Sequence, residues 1–253
     1  MNRNQITPPH QGLATSRYQK PVIDKLLGRT TLEWQCDDGH KEKLRASLRF
    51  TDYEGNKPSF YSVRKLPYVI KTYLQSKKSP LLHNPVPFLT MDAIRFLDSM
   101  IRPGVRVLEV GGGNSSLWFL ERGVNLTTYE HDLEWGMMVL NEVKQNPMHY
   151  HEERFNLKMM QGRDTINDLG KLPKQSFDIL LIDSMNDHTR RIECLRVATQ
   201  KVKPGGWIVL DNSDNPANWS ADELMKGKEM HRFTGYSPMS LFVCQTTFWK
   251  MEC

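Results

Sequence analysis

The stretch Val105-Arg-Val-Leu-Glu-Val-Gly-Gly-Gly-Asn-Ser-Ser116 decides the fold. A short apolar run bounded by glycines reads as a buried strand that ends in a tight turn and feeds a helix. Glycine has no Cβ, so the backbone there can approach a nucleoside-bearing cofactor closely. Glu130 follows Glu109 by 21 residues, at the end of a second apolar run from Val124 to Tyr129. A carboxylate in that place can accept hydrogen bonds from both hydroxyls of a ribose.

Downstream, strand-like runs at 125–130, 156–161, 177–183 and 206–211 alternate with helical stretches at 115–121, 133–144 and 188–201. Apolar strands alternating with helices predict a parallel sheet covered on both faces. The last two runs, 230–236 and 241–251, are β-rich and joined by Ser237-Pro-Met-Ser240, as in a hairpin. The expectation is an α/β, Rossmann-like, doubly wound and mostly parallel seven-stranded sheet that ends in an antiparallel β-hairpin.

Upstream, Thr90 can cap a helix with Ile94, Leu97 and Ile101 on one face, ended by Pro103-Gly104. Pro80, Pro85 and Pro87 set a boundary. Residues 86–253 form the main domain, and residues 1–85 an N-terminal accessory segment. Within that segment, 1–30 reads as a flexible arm, and 31–36, 47–53 and 59–63 as a small antiparallel patch. Residues 66–75 look helical.

The 253 residues, 39% hydrophobic, suffice for one sizeable core. No apolar run approaches the roughly 20 residues that span a bilayer, and no signal-peptide pattern opens the chain. Cys36, Cys194, Cys244 and Cys253 form no CxxC pair, so neither a disulfide framework nor a zinc site is indicated. A reduced, cytoplasmic setting is the default. Residues 1–85 hold 15 Lys/Arg against 7 Asp/Glu, whereas the remainder holds 19 against 22. A basic front segment suits an anionic partner such as RNA or an acidic peptide; an ordinary solvated face has the same composition.

A glycine turn alone does not choose between dinucleotides and other nucleoside cofactors. Glu109, two residues ahead of Gly111, would face two negative phosphates in a pyrophosphate site, but suits a cationic amino group or sulfonium. Ser115 replaces the third glycine, and a terminal hairpin is unusual for dehydrogenases. At this point the sequence resembles the class I S-adenosylmethionine-dependent methyltransferases, over roughly residues 85–251. The matching elements are Val107-Leu-Glu-Val-Gly-Gly-Gly-Asn-Ser115, Tyr129-Glu-His-Asp132, Gly162-Arg-Asp164, Asp178-Ile-Leu-Leu-Ile-Asp-Ser184 and Lys203-Pro-Gly-Gly-Trp-Ile-Val-Leu-Asp-Asn212. The segments Gly112-Gly-Asn-Ser-Ser116 and Thr246-Thr-Phe-Trp249 look most like a less-characterised bacterial branch.

The resemblance implies a cofactor site made by Gly111 and Gly113 with Asn114 and Ser115, Glu109 near the cofactor's ammonium group, and Glu130 on the ribose. His131 would lie beside the ribose or against the adenine, and Asp164 would accept from the adenine amino group. A helix N-cap ahead of 165–169 is the other reading of Asp164.

For the chemistry, carboxylates at the carboxyl ends of parallel strands face the ligand crevice. Asp183 and Asp211 are the catalytic candidates, with Asp183 also able to touch the cofactor. They also resemble the metal-dependent catechol and caffeoyl-coenzyme A type O-methyltransferases, which implies Asp183, Asp211 and Asn212 around Mg²⁺ or a similar divalent cation. The 28-residue interval from Asp183 to Asp211 is longer than that type suggests, and no second acid lies two positions after Asp183. His188 is the candidate metal-free base, a surface histidine being its plainer reading. Arg190 and Arg191 suit either an anionic substrate or ordinary helix-face ion pairs. The expected acceptor is an oxygen or nitrogen of a small molecule; a peptide, a protein or RNA is the alternative, as is cofactor binding without methyl transfer. A membrane partner is not expected, and a homo-oligomer is left open.

Overall fold

The computed structural model describes residues 31–35, 41–45, 50–76, 82, 85–184 and 191–252. The arm expected at 1–30 and the candidate base His188 lie outside the described residues. β1 (Thr31–Gln35) and β2 (Lys41–Arg45) pair antiparallel as a small separate sheet. Next come α1 (Phe60–Arg64), α2 (Leu66–Ser76) and α3 (Met91–Met100).

The main sheet then alternates with helices: β3 (Arg106–Val110), α4 (Asn114–Glu121), β4 (Asn125–Glu130), α5 (Leu133–Gln145), β5 (Phe155–Met159) and α6 (Gly162–Lys171). β6 (Phe177–Ile182), α7 (Arg191–Ala198), β7 (Val202–Asp211), α8 (Ser220–Leu224), β8 (Met230–Tyr236) and β9 (Val243–Lys250) complete the chain. Strand order is β5-β4-β3-β6-β7-β9-β8. The first five strands run parallel; β9 is antiparallel to both β7 and β8. The expected seven-stranded sheet with an antiparallel end is present.

Central strands of a parallel sheet are buried on both faces, which is why β3 and β6 read as continuous apolar runs. Leu97, Leu117, Phe119, Val139 and Val143 from α3, α4 and α5 cover one face. Leu169 of α6 and Cys194, Leu195 and Ala198 of α7 cover the other. Fully burying one such leucine contributes about 1.5–3 kcal/mol. Glu109 is the exception in β3, a carboxylate with no exposed surface inside an apolar strand. No helix among the described residues is long and apolar enough to cross a membrane.

One expected strand is a helix. Residues 59–63 alternate in polarity, yet Ser59 caps α1, accepting from Ser62 N at 2.9 Å. The Ser59 hydroxyl also bonds the Asp92 carboxylate, and buried Ser62 Oγ accepts from Tyr236 N at 2.7 Å. Those tertiary partners, absent from any local pattern, select the helix. Gly235 leaves room for this contact, because a Cβ there would stand 2.4 Å from Ser62 Oγ. Val69, Met91, Tyr236 and Val243 seal the join. Asp52, 4% exposed, adds polar ties by accepting from Thr234 Oγ1 and Gln245 Nε2, each at 3.1 Å. Thr90 precedes α3 as expected but makes no side-chain cap; its backbone N–H donates to Thr246 Oγ1 at 3.2 Å.

Candidate active site

The carboxyl ends of β3, β4, β6 and β7 bring most of the candidate residues into one crevice. Register does the first part of the work. Glu109 on β3 is paired with Thr128 on β4, and Thr128 Oγ1 donates to Glu109 Oε2 at 2.7 Å. Ser116, one turn into α4, donates to the same oxygen at 2.5 Å and accepts from Gly113 N at 3.0 Å. Glu109 Oε1 has no hydrogen-bond partner. Burial pushes the Glu109 carboxyl up to about 7, with the hydroxyls of Ser115, Ser116 and Thr128 pulling the other way. An incoming ammonium group would supply the partner that Oε1 lacks.

The glycine turn is held from both sides. Gly111 has φ +96°, and a Cβ on it would lie 2.4 Å from the Asp183 carbonyl oxygen. Only glycine fits there without strain. Gly112 N donates to Glu130 Oε2 at 2.7 Å, and Trp135 Nε1 donates to Gly112 O at 2.9 Å. Trp135 thus covers the turn, and a Cβ on Gly113 would touch its indole at 3.2 Å. Trp118 is a core residue, 4% exposed. Asn114 and Ser115 are buried at the start of α4; Asn114 Nδ2 lies 3.8 Å from Met239 Sδ, and Asn114 Oδ1 has no partner.

Glu130 is busier than the ribose expectation assumed. Its Oε1 accepts from the backbone N–H groups of His131 and Asp132 at 2.7 and 2.8 Å, and Oε2 accepts from Gly112. A carboxylate offers about four acceptor positions, so Oε2 keeps room for one ribose hydroxyl rather than two. His131 Nδ1 lies 2.9 Å from Glu130 Oε1. Beside it opens a cleft of about 560 Å³ whose lining includes His131, Leu133, Met159, Met160, Gln161 and Asp164. Leu133, Met159 and Met160 give one apolar surface on which a flat base could lie, and Asn167, Asp168 and Lys171 make the rest of the lining polar. Asp164 is exposed in the first turn of α6, whose N-cap is Gln161, so the N-cap reading of Asp164 does not hold.

Asp183 follows β6, and Asp211 ends β7. Between them sits a guanidinium that the sequence did not place. Arg191, at the start of α7 and 6% exposed, donates to Asp183 Oδ1 at 3.2 Å and to the backbone carbonyls of Ser184 and Asp211. Asp211 Oδ1 accepts from Thr246 Oγ1 at 2.7 Å, its register partner on β9. Burial raises both carboxyls, their closeness to each other and to further acids adds to the rise, and Arg191 opposes it in each. Asp183 keeps an open face, with 16% of its side chain exposed.

The divalent-ion set of Asp183, Asp211 and Asn212 does not fit this arrangement. Arg191 already places a fixed positive charge on Asp183, and like charges about 4 Å apart cost about 4 kcal/mol per pair of unit charges near a protein surface. Asn212 sits at φ +51°, with its backbone carbonyl accepting from Asn215 N and Asn218 Nδ2. Among the described residues no cluster of three His, Cys, Asp or Glu could hold a metal.

Residues 108–213 match a family model described as a methyltransferase domain. Among solved structures, the O-methyltransferase from Bacillus cereus in complex with SAH is 14% identical, with 75% of this chain and 91% of that chain covered and a TM-score of 0.52. TomG from Streptomyces achromogenes, an O-methyltransferase involved in tomaymycin synthesis and solved with SAM, is 17% identical over 73% and 89%, with a TM-score of 0.53. A putative O-methyltransferase from Klebsiella pneumoniae is 19% identical over 74% and 90%, with a TM-score of 0.53. At such identities the likeness is one of fold. No curated protein matches the sequence. Residues 108–213 thus match a methyltransferase domain, and the sheet that carries them has the Rossmann-like, mostly parallel topology of the solved O-methyltransferases.

Proposed function

We propose that the chain methylates an oxygen of a small molecule, with Asp183 as the residue that receives the acceptor's proton. The observation that carries this reading is the pairing, in one crevice, of a buried Glu109 oxygen without a partner and a partly open Asp183 carboxylate. The solved O-methyltransferases of the same fold support oxygen as the acceptor atom.

When bound, S-adenosylmethionine supplies an electrophilic methyl on a sulfonium, and the acceptor oxygen takes that methyl as the sulfonium carbon bond breaks. Glu109, Gly111 and Gly113 would hold the methionine end, Glu130 one ribose hydroxyl, and His131 with Asp164 the adenine end. Asn114 and Ser115 would line the turn. Asp183 is raised above the usual carboxylate range by burial, which makes it a better base than a solvated aspartate, and Arg191 keeps it oriented. Asp211 supports Asp183 from β7 rather than touching the acceptor, since it is 2% exposed.

The test is twofold. Calorimetry with SAH reads the cofactor site, and transfer of labelled methyl from S-adenosylmethionine to a panel of phenols, hydroxy acids and amines reads the acceptor. Transfer to phenols or hydroxy acids supports the reading. SAH binding with no transfer to any oxygen compound, but transfer to RNA or peptide, would overturn it.

A further inference from the structure

We propose that Arg191 is a built-in cation at the methyl-transfer site, and that it makes the reaction of this chain independent of a divalent metal. The inference rests on the methyl-transfer reading above and says what neutralises its carboxylate pair. Two buried carboxylates at the ends of adjacent parallel strands cannot both stand ionised alone: one keeps a proton, or a cation sits beside them. A bound divalent ion is one solution. Here the chain supplies another from its own helix.

Three features show that the guanidinium is a fixed part of the site. Arg191 is 6% exposed. Its Nε donates to the Ser184 carbonyl, one Nη to the Asp211 carbonyl and the other to Asp183 Oδ1. These acceptors come from the ends of two strands, so the planar fork ties β6 to β7 while it fixes the rotamer of Asp183. Lysine could supply the charge but not the fork, and arginine does not lose its proton in proteins. Arg191 therefore acts through Asp183, as a positioning residue. On the far side, Thr246 Oγ1 holds Asp211 Oδ1 at 2.7 Å. The pair is clamped by protein donors on both flanks, with Asp183 left facing the crevice.

The experiment uses the full chain, dialysed against EDTA. Mn²⁺ titration followed by electron paramagnetic resonance reads the ion, and calorimetry with SAH reads the cofactor in the same samples. Wild type is expected to bind SAH and to take up no stoichiometric Mn²⁺. Arg191→Ala is expected to gain a 1:1 Mn²⁺ site that a second change, Asp183→Asn, removes. Arg191→Lys keeps the charge and is expected to gain none. A merely structural arginine would not create an ion site on its removal. In turnover, Arg191→Ala should lower kcat on the order of 10²-fold, the scale of a misplaced catalytic group, and added guanidinium ion should restore part of it.

A wild-type Mn²⁺ site that disappears in Asp183→Asn overturns the proposal, as does an Arg191→Ala protein that still binds SAH but gains no Mn²⁺. If Arg191→Ala does not fold, wild type and Arg191→Lys decide: ion uptake by either overturns it, and metal-free turnover by both supports it. Failure of wild type to bind SAH would sink the methyl-transfer reading instead, which keeps the two failures apart.

Discussion

The two sides of the crevice are built in different ways. On the proposed cofactor side, Glu109, the glycine turn and Glu130 come from two neighbouring strands and the turns after them, and they bond mainly to one another. On the proposed transfer side, Asp183, Arg191, Asp211 and Thr246 come from the ends of β6 and β7, from α7 and from β9, and only the sheet order makes them neighbours. The first is a piece of local chain geometry. The second exists only once the sheet has closed. A substitution on the cofactor side should therefore move affinity and stability, and one on the transfer side should move rate.

Asp183→Asn is the strongest test of that division. It is expected to lower kcat for methyl transfer by about 10²–10⁴-fold, the usual scale of a lost general base, with SAH affinity little changed in calorimetry. An equal loss of affinity would move Asp183 to the cofactor side. Gly111→Ala attacks the point where the two sides meet. Strain at a positive φ costs roughly 1–3 kcal/mol, and the new Cβ would also press on the Asp183 carbonyl. The urea midpoint should fall and SAH binding should weaken with it; an unchanged midpoint would mean that the two sides are not in contact there.

Glu130→Ala comes next. Loss of a charge-assisted ribose bond should weaken SAH by about 1.5–3 kcal/mol, read by calorimetry, because the same carboxylate also fastens the glycine turn. The smallest effect is on pH. Glu109 carries its proton in the free protein below about 7, whereas a bound ammonium favours the ionised form. Binding should then release a proton, so SAH affinity rises with pH by at most about tenfold per unit and levels off above 7. For the free protein the sign is opposite. The folded pKa lies above the unfolded value of 4.5, so this group's stabilising contribution is full below 4.5 and lost as pH rises through 7. Denaturant titrations at several pH values check this; a flat SAH affinity between pH 5 and 7 would remove Glu109 from the ammonium site.

Legibility follows the same division. β4 and β8 begin and end where the sequence pattern put them, and Glu109 was marked by a carboxylate in an otherwise apolar run. Its partner Thr128 could have been read from the alternation of β4, which places every second residue on the same face. The pair of acids after β6 and β7 was legible as well. What held them was not, because Arg191 suits an anionic substrate or a helix-face ion pair equally well until the sheet brings two backbone carbonyls to it. The helix at 60–64 was missed for a similar reason: Ser59-Phe-Tyr-Ser-Val63 satisfies a strand as well as a capped turn, and Asp92 and Tyr236 make the choice from more than thirty residues away.

The contact between Trp135 and Gly112 has a consequence for how the protein can be watched. An indole whose N–H is committed to the glycine turn is an optical probe placed at the entrance of the donor site. Trp118, Trp219 and Trp249 are sunk in the core, and Trp207 packs against Phe96, His231 and Phe248 on the sheet, so the emission of these four is expected to stay constant while that of Trp135 responds. Occupancy of the turn should therefore be readable in the unlabelled protein, on the stopped-flow timescale, before any acceptor is known.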